Sequence, residues 1–275
     1  MLRMLLAALV CVFSQYANAQ QRVASINMCA DQLLLLLAPA ENILSISYLS
    51  ADPQYSVWTQ TARKFPHNHA KAEELVSLQP DLVLAGQYSD PMVIRLLQQQ
   101  GIAVYQMTRP QQLSQLFDEA LAVGELLGVQ QRAKQLVEEW QNDIQHLLTL
   151  AKTGVQPRMA IIGPNGFTEG SGSLRDQMLQ KAGIINVASE MGMVGNSEFT
   201  LEQIVAQQPD LIAIEDATVN NHSLAQRLLD HPAIHHLSAK EVRLPANLWS
   251  CPGPSYVAAL RALIEAKLWW QRTED

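Results

Sequence analysis

The chain has 275 residues, 48% hydrophobic and 16% charged, with three cysteines and a formal net charge of −7. That length suits one large domain or two ordinary ones. An acidic chain without a basic cluster argues against nucleic acid and an anionic membrane surface as main partners. The first stretch, residues 1–19, reads as an export signal: Arg3 in a positive start, an apolar run to Phe13 too short to span a bilayer, and small residues at Ala17 and Ala19 for cleavage. Val10 stands before Cys11, where a lipid-anchored chain needs a small residue. Cleavage after Ala19 leaves 18 basic against 26 acidic residues, a formal charge of −8, and two cysteines, Cys29 and Cys251. The expectation is a soluble, periplasmic, monomeric protein.

In chain order, Arg22–Asn27 reads as a strand and Asp31–Ala38 as a buried helix ended by Pro39, followed by a strand over Asn42–Ser47. Residues 48–71 read as a long polar and aromatic loop carrying His67 and His69, of a length that is usually functional or disordered. A helix and the strand Leu82–Ala85 follow, then a helix over Met92–Gln100, a strand over Ile102–Gln106 and a helix over Leu113–Leu127. From Val129 to Lys152 the apolar positions Ala133, Leu136, Val137, Trp140, Ile144, Leu147 and Leu148 keep helical spacing, which predicts one long amphipathic helix stopped at Thr153 and Gly154. The pattern then restarts: a strand over Met159–Ile162, a Gly-rich turn over Gly163–Gly172, and a helix over Leu174–Ala182 opened by Ser173 and Asp176. An extended piece over Ile184–Val187, the strand Leu211–Ile214, a short helix over Leu224–Leu229, the strand Glu241–Leu244, a loop over Leu248–Pro254 and a closing helix over Tyr256–Trp270 complete it.

The chain also repeats itself. Residues 72–85 and 201–214 align without a gap, each an amphipathic helix broken by Gln-Pro-Asp and feeding an apolar strand. Strands alternating with helices predict parallel sheets covered on both faces. The reading is therefore α/β: two Rossmann-like lobes, residues 20–128 and 154–275, joined by one long helix over 129–153. Ligands of open α/β sheets sit outside the carboxyl ends of the strands, so two facing lobes enclose a cleft. An exported, non-basic, two-lobed chain of this kind reads as a ligand-binding protein. The Gly-rich turn lacks the endings of a phosphate-binding or dinucleotide-binding loop, and the usual hydrolase and zinc signatures are absent.

The strand Arg22–Asn27, the paired repeats, the long middle helix and the stretch Glu169–Leu174 followed by Ala182 and Gly183 resemble the periplasmic substrate-binding proteins of ABC importers for metal chelates. These are the helical-backbone class that carries ferric siderophores, vitamin B12 and haem. The resemblance implies small lobe movements, delivery of a chelate to an inner-membrane permease, no catalysis and no resident cofactor. It also implies docking through one acid at the tip of each lobe, at Glu73 and Glu202, where first-turn acids complement the helix dipole. Among cargoes a ferric siderophore is preferred, then cobalamin, then haem.

For the site, the resemblance matches His67 to a cleft-facing Trp of the B12-binding member and puts Cys29 and Cys251 in cleft-side loops. The cysteines are open to three readings: free thiols, a disulfide across the cleft, or a soft ligand pair. Free thiols are preferred, because a cross-cleft bridge would lock the lobes. Tyr88 and Trp249 are expected to pack on a macrocycle or catecholate face, with Tyr105 a weaker candidate. Arg109 is expected to pair with carboxylates of an anionic chelate, and Phe167 to pack from the other lobe. The rival readings are a metal-dependent enzyme or a bare-cation receptor built on His67, His69 and Cys251, with Asp31 and Glu169 as the acids facing the cleft.

Overall fold

A computed structural model describes residues 21–151, 154–216, 228, 231–251, 253 and 255–274. The proposed signal, all but residue 228 of the helix expected over 224–229, and the last residues expected in the long helix lie outside the described residues.

The first lobe contains β1 (Val23–Ser25), α1 (Met28–Leu37), β2 (Ile43–Ser47), α2 (Thr59–Ala62), β3 (His67–Asn68), α3 (Ala72–Leu78), β4 (Leu82–Gly86), α4 (Pro91–Gln99), β5 (Ala103–Met107) and α5 (Leu113–Leu126). Its five strands are parallel in the order β3-β2-β1-β4-β5. After the 22-residue helix α6 (Gln130–Ala151), the second lobe contains β6 (Arg158–Ile162), β7 (Phe167–Glu169), α7 (Leu174–Ala182), β8 (Ile185–Asn186), α8 (Val187–Glu190), β9 (Asn196–Glu198), α9 (Leu201–Gln207), β10 (Leu211–Asp216), α10 (Pro232–His235), β11 (Lys240–Pro245), α11 (Ala246–Trp249) and α12 (Tyr256–Glu274). Its main sheet is parallel, β11-β10-β6-β8, and β7 and β9 form a separate antiparallel ribbon. The loop expected over 48–71 in fact holds α2 and the edge strand β3, and the Gly-rich turn expected over 163–172 contains β7. Both short strands are too brief to show a period in sequence.

The strands alternate between two cores, as the period-2 geometry of a strand requires. Leu82 and Leu84 of β4 face one core while Val83 and Ala85 face another. In the second lobe Met159 and Ile161 of β6 join the first of these cores, and Ala160 and Ile162 turn to a third. The core common to both lobes is filled by α1, α5, α6, α7 and α12, with Ala133, Val137, Trp140, Ile144 and Leu147 as the contribution of α6. Buried Lys267 of α12 donates from Nζ to the carbonyl of Ala151 at 2.7 Å, closing the C-terminal end of α6 with a charge of the sign the helix dipole favours.

The sequence repeat has a three-dimensional meaning. In the first lobe, the backbone N–H of Arg22 donates to the carboxylate of Asp81 at 2.7 Å, and the Arg22 guanidinium donates to the Leu78 carbonyl at 2.7 Å. In the second, the N–H of Arg158 donates to Asp210 at 2.7 Å and its guanidinium to the Gln207 carbonyl at 2.7 Å. Gln79 and Gln208, with φ of 50° and 42°, turn the chain at the ends of α3 and α9. In each lobe, then, the Gln-Pro-Asp turn locks the helix end to the start of the first strand, at Arg22 just before β1 and at Arg158 opening β6, which sets the register of the central pair of strands.

Trp140 is 8% exposed in the shared core. Trp140→Ala should lower unfolding free energy by about 3–5 kcal/mol, measured by denaturant titration; a loss below about 1 kcal/mol would show that α6 is not the joint between the lobes.

Candidate functional site

β1 lies at the point where the strand order of the first sheet reverses, with β2 and β3 on one side and β4 and β5 on the other. A crevice is expected at the carboxyl ends of the strands at such a point. A cavity of about 360 Å³ lies there. The segments after β1, β4 and β5 form most of its wall, α5 contributes Leu116 and Glu119, and the second lobe contributes Trp249, Ser250 and Gly253.

Of the residues expected at the site, Cys29, Tyr88, Arg109 and Trp249 line this cavity. Tyr88 stands at its edge, 77% exposed. Cys251, Arg109 and Trp249 also border a smaller adjoining void with Glu169. His67 and Phe167 line neither. His67 is exposed on β3, with Nε2 3.2 Å from the Ala62 carbonyl. The residue of this triplet that turns inward is Asn68, which donates to the Ser25 carbonyl and to Ser45 Oγ, both at 2.9 Å. His69 stacks on Tyr48 at 4.8 Å and meets Glu74 at 3.5 Å. With both imidazoles on the outside and Cys251 engaged elsewhere, the trio of the metal-site readings does not converge. Among the described residues no cluster of three or more His, Cys, Asp or Glu is placed to hold a metal ion.

The preferred reading of the cysteines is corrected: Cys29 and Cys251 form a disulfide with Cα atoms 5.2 Å apart, inside the window such a bond needs. Asn27 caps α1, accepting from the N–H groups of Cys29 and Ala30 at 3.0 and 3.2 Å, and so fixes Cys29 in the first turn. The objection that a bridge would obstruct the cleft fails on position. The bond is part of the cavity wall, at a seam where the lobes already touch: Ser255 Oγ donates to Gln32 Oε1 at 3.3 Å and Asn247 Nδ2 to the Pro53 carbonyl at 3.0 Å.

Charge in the cleft is sparse. Arg109 donates to Glu169 Oε1 at 2.6 Å and to Asn196 Oδ1 at 3.2 Å, both in the other lobe. Arg175 lies 4.0 Å from the same Glu169 oxygen and 5.1 Å over the Trp249 ring. Glu119, 8% exposed, accepts from Tyr105 at 2.9 Å and Thr108 at 3.0 Å. Burial, with the Glu119 carboxylate added, pushes the Tyr105 hydroxyl up to about 12. Sequence reasoning missed Glu119, although it falls three residues after Leu116 and four before Val123, on the apolar side of α5. Asp31 does not face the cleft. It is fully buried, accepting from the Ser47 N–H at 3.0 Å and Ser50 Oγ at 2.6 Å. Burial pushes its carboxyl up to about 8 against the opposing pull of those hydrogen bonds. Glu73 and Glu202 are exposed in the first turns of α3 and α9, at matching positions of the two repeats.

The family model described as "Periplasmic binding protein" matches residues 23–242. An uncharacterized ABC transporter substrate-binding lipoprotein of Bacillus subtilis is 23% identical over 71% of this chain and 64% of its own length. A cobalamin-binding protein of Halobacterium salinarum is 23% identical over 70% of this chain and 53% of its own. The chain thus spans between about half and two thirds of these relatives. Among solved structures, the apo form of a periplasmic heme-binding protein from Roseiflexus sp. RS-1 superposes with a TM-score of 0.75 at 21% identity, covering 90% of this chain and 99% of that one. At that identity the likeness is one of fold.

Asp31 makes stability depend on pH with a definite sign. Its folded pKa lies above the unfolded value of 3.8, so the stabilisation from its bound proton is complete below about pH 4 and lost as pH rises through about 8. Asp31→Asn should remove a decline of up to about 1.4 kcal/mol per pH unit in that window and leave the variant more stable than the parent at pH 9. Denaturant titrations at pH 5, 7 and 9 measure this, and parallel pH profiles for the two proteins would refute it.

Proposed function

Because the chain belongs to the periplasmic binding protein family, we propose that it captures a metal chelate in the cavity between its lobes and passes it to the permease of an ABC importer. The cargo we propose is a metal macrocycle of the porphyrin or corrinoid class, in preference to a ferric siderophore. The observation that carries this is the wall of the cavity, which is mostly apolar and holds one cation, Arg109, and one acid, Glu119, among its described residues. A tris-catecholate complex carries three negative charges and finds a single guanidinium among the lining residues to balance them. A macrocycle needs large apolar and aromatic contact, which Met28, Met107, Tyr88 and Trp249 offer. The names of two relatives, a cobalamin-binding and a heme-binding protein, support the same class. A volume of about 360 Å³ is small for a whole macrocycle, so its edge projects past Tyr88 into solvent. On this reading the chain acts by equilibrium binding after export and removal of residues 1–19.

Docking is proposed to use Glu73 and Glu202. Their equivalence in the two repeats presents two similar exposed acids, one per lobe, to a dimeric permease.

A thermal-shift screen of the mature protein against haemin, cobalamin, ferric siderophores and bare Fe, Zn and Mn ions tests the cargo. A cognate ligand at 100 times its Kd adds about 2.7 kcal/mol, a rise of roughly 5–10 °C for a chain of this size. A shift with haemin or cobalamin is expected. A shift with siderophores alone removes the macrocycle and keeps the receptor, and a shift with bare ions alone removes both. Separately, reversing Glu73 and Glu202 together to Lys should abolish uptake in permease-containing vesicles while changing Kd less than about twofold, since each acid is exposed and outside the cavity; surviving uptake would remove the docking role.

A further inference from the structure

The lobes are joined across the cleft by a charged clamp whose two halves are unequal. Glu169 and Asn196 face each other across the β7–β9 ribbon and take two nitrogens of the same guanidinium, that of Arg109. The backbone of Arg109 is held in the first lobe, its N–H donating to Gln87 Oε1 at 3.1 Å. Its side chain is 27% exposed and borders the main cavity as well as the smaller void, whereas Glu169 is 4% exposed and borders only the smaller void. Arg109 thus stands between its partner and the cavity.

A carboxylate this deeply buried is costly to leave without a cation. Glu169 need not be left so, because buried Arg175 lies 4.0 Å from the same oxygen and is packed against Trp249. Of the two arginines, Arg175 is the settled one and Arg109 the one able to turn toward the cavity. The chemistry of its present partner indicates what would replace it: a carboxylate, which matches a guanidinium with charge-assisted hydrogen bonds.

We infer that Glu169, with Asn196, is a placeholder for a ligand carboxylate: it holds Arg109 across the cleft and surrenders it to an anionic group on the edge of the bound macrocycle. Glu169 then determines specificity without touching the ligand. A carboxylate-bearing ligand compensates Arg109 for the partner it leaves; a neutral analogue of the same shape must either break the clamp unaided or bind beside it. The inference rests on the proposed function in taking the main cavity as the ligand site.

The test compares haemin, which carries two carboxylates, with its dimethyl ester, by fluorescence titration of the mature protein and of Glu169→Gln, Arg109→Gln and Asn196→Ala. The parent should prefer the diacid by about tenfold or more, the worth of one charge-assisted hydrogen bond. Glu169→Gln weakens the competitor and should raise that preference about tenfold further. Asn196→Ala, at an exposed position that tolerates truncation, should raise it less, and Arg109→Gln should bring the ratio near one. Small-angle scattering of the ligand-free Glu169→Gln protein should show a more open particle. An unchanged or reduced preference in Glu169→Gln, or a preference retained without Arg109, overturns the inference. Failure of the parent to bind either porphyrin also overturns it, and the cobalamin arm of the thermal screen then tells whether the macrocycle reading falls with it.

Discussion

The apolar stripe of α6 is the constraint on which the rest of the molecule depends. At 1.5 Å per residue its 22 residues span about 33 Å, and its inward side chains lie in one core with residues from both sheets. Neither sheet is large: five short strands in one lobe, four in the other. Each buries one face on material that belongs to the pair. A shared, close-packed core does not deform continuously, so α6 is the place where the two lobes are fixed to each other. The Lys267 contact to the last described turn of α6 reinforces the same end.

The duplicated arginine-to-aspartate lock gives the cleft its symmetry. Arg22 with Asp81 and Arg158 with Asp210 tie the end of a helix to the start of the first strand of each lobe. The same device occurs in both lobes, and Glu73 and Glu202 are exposed at equivalent helix starts.

Within the cleft, the contacts between lobes differ in strength and permanence. The Cys29–Cys251 bond and the Gln32–Ser255 hydrogen bond lie at the seam, where packing already holds the lobes. The Arg109–Glu169 pair lies where the lobes meet around open volume. The covalent attachment thus lies at the packed base, and the ion pair beside open volume.

The parallel α/β architecture, the long middle helix and the paired repeats were legible in the amino-acid sequence because each is a local periodicity or a copy of one. Strand-end position likewise singled out Tyr88, Arg109 and Trp249. The inward turn of Asn68 between two exposed histidines was not legible, since β3 has two residues and no period. Nor were the partners of Arg109: Glu169 and Asn196 lie 60 and 87 residues away and come together only when the ribbon β7–β9 forms. The disulfide is the clearest case. Spacing of 222 residues carries no pairing information, and only the docking of α1 beside the segment before α12 brought the two Cα atoms within reach. Sequence by itself determined the elements and their repetition, because hydrophobic period and turn chemistry act between near neighbours. Tertiary structure alone decided which charges and thiols meet, because those contacts depend on how two lobes pack about one helix.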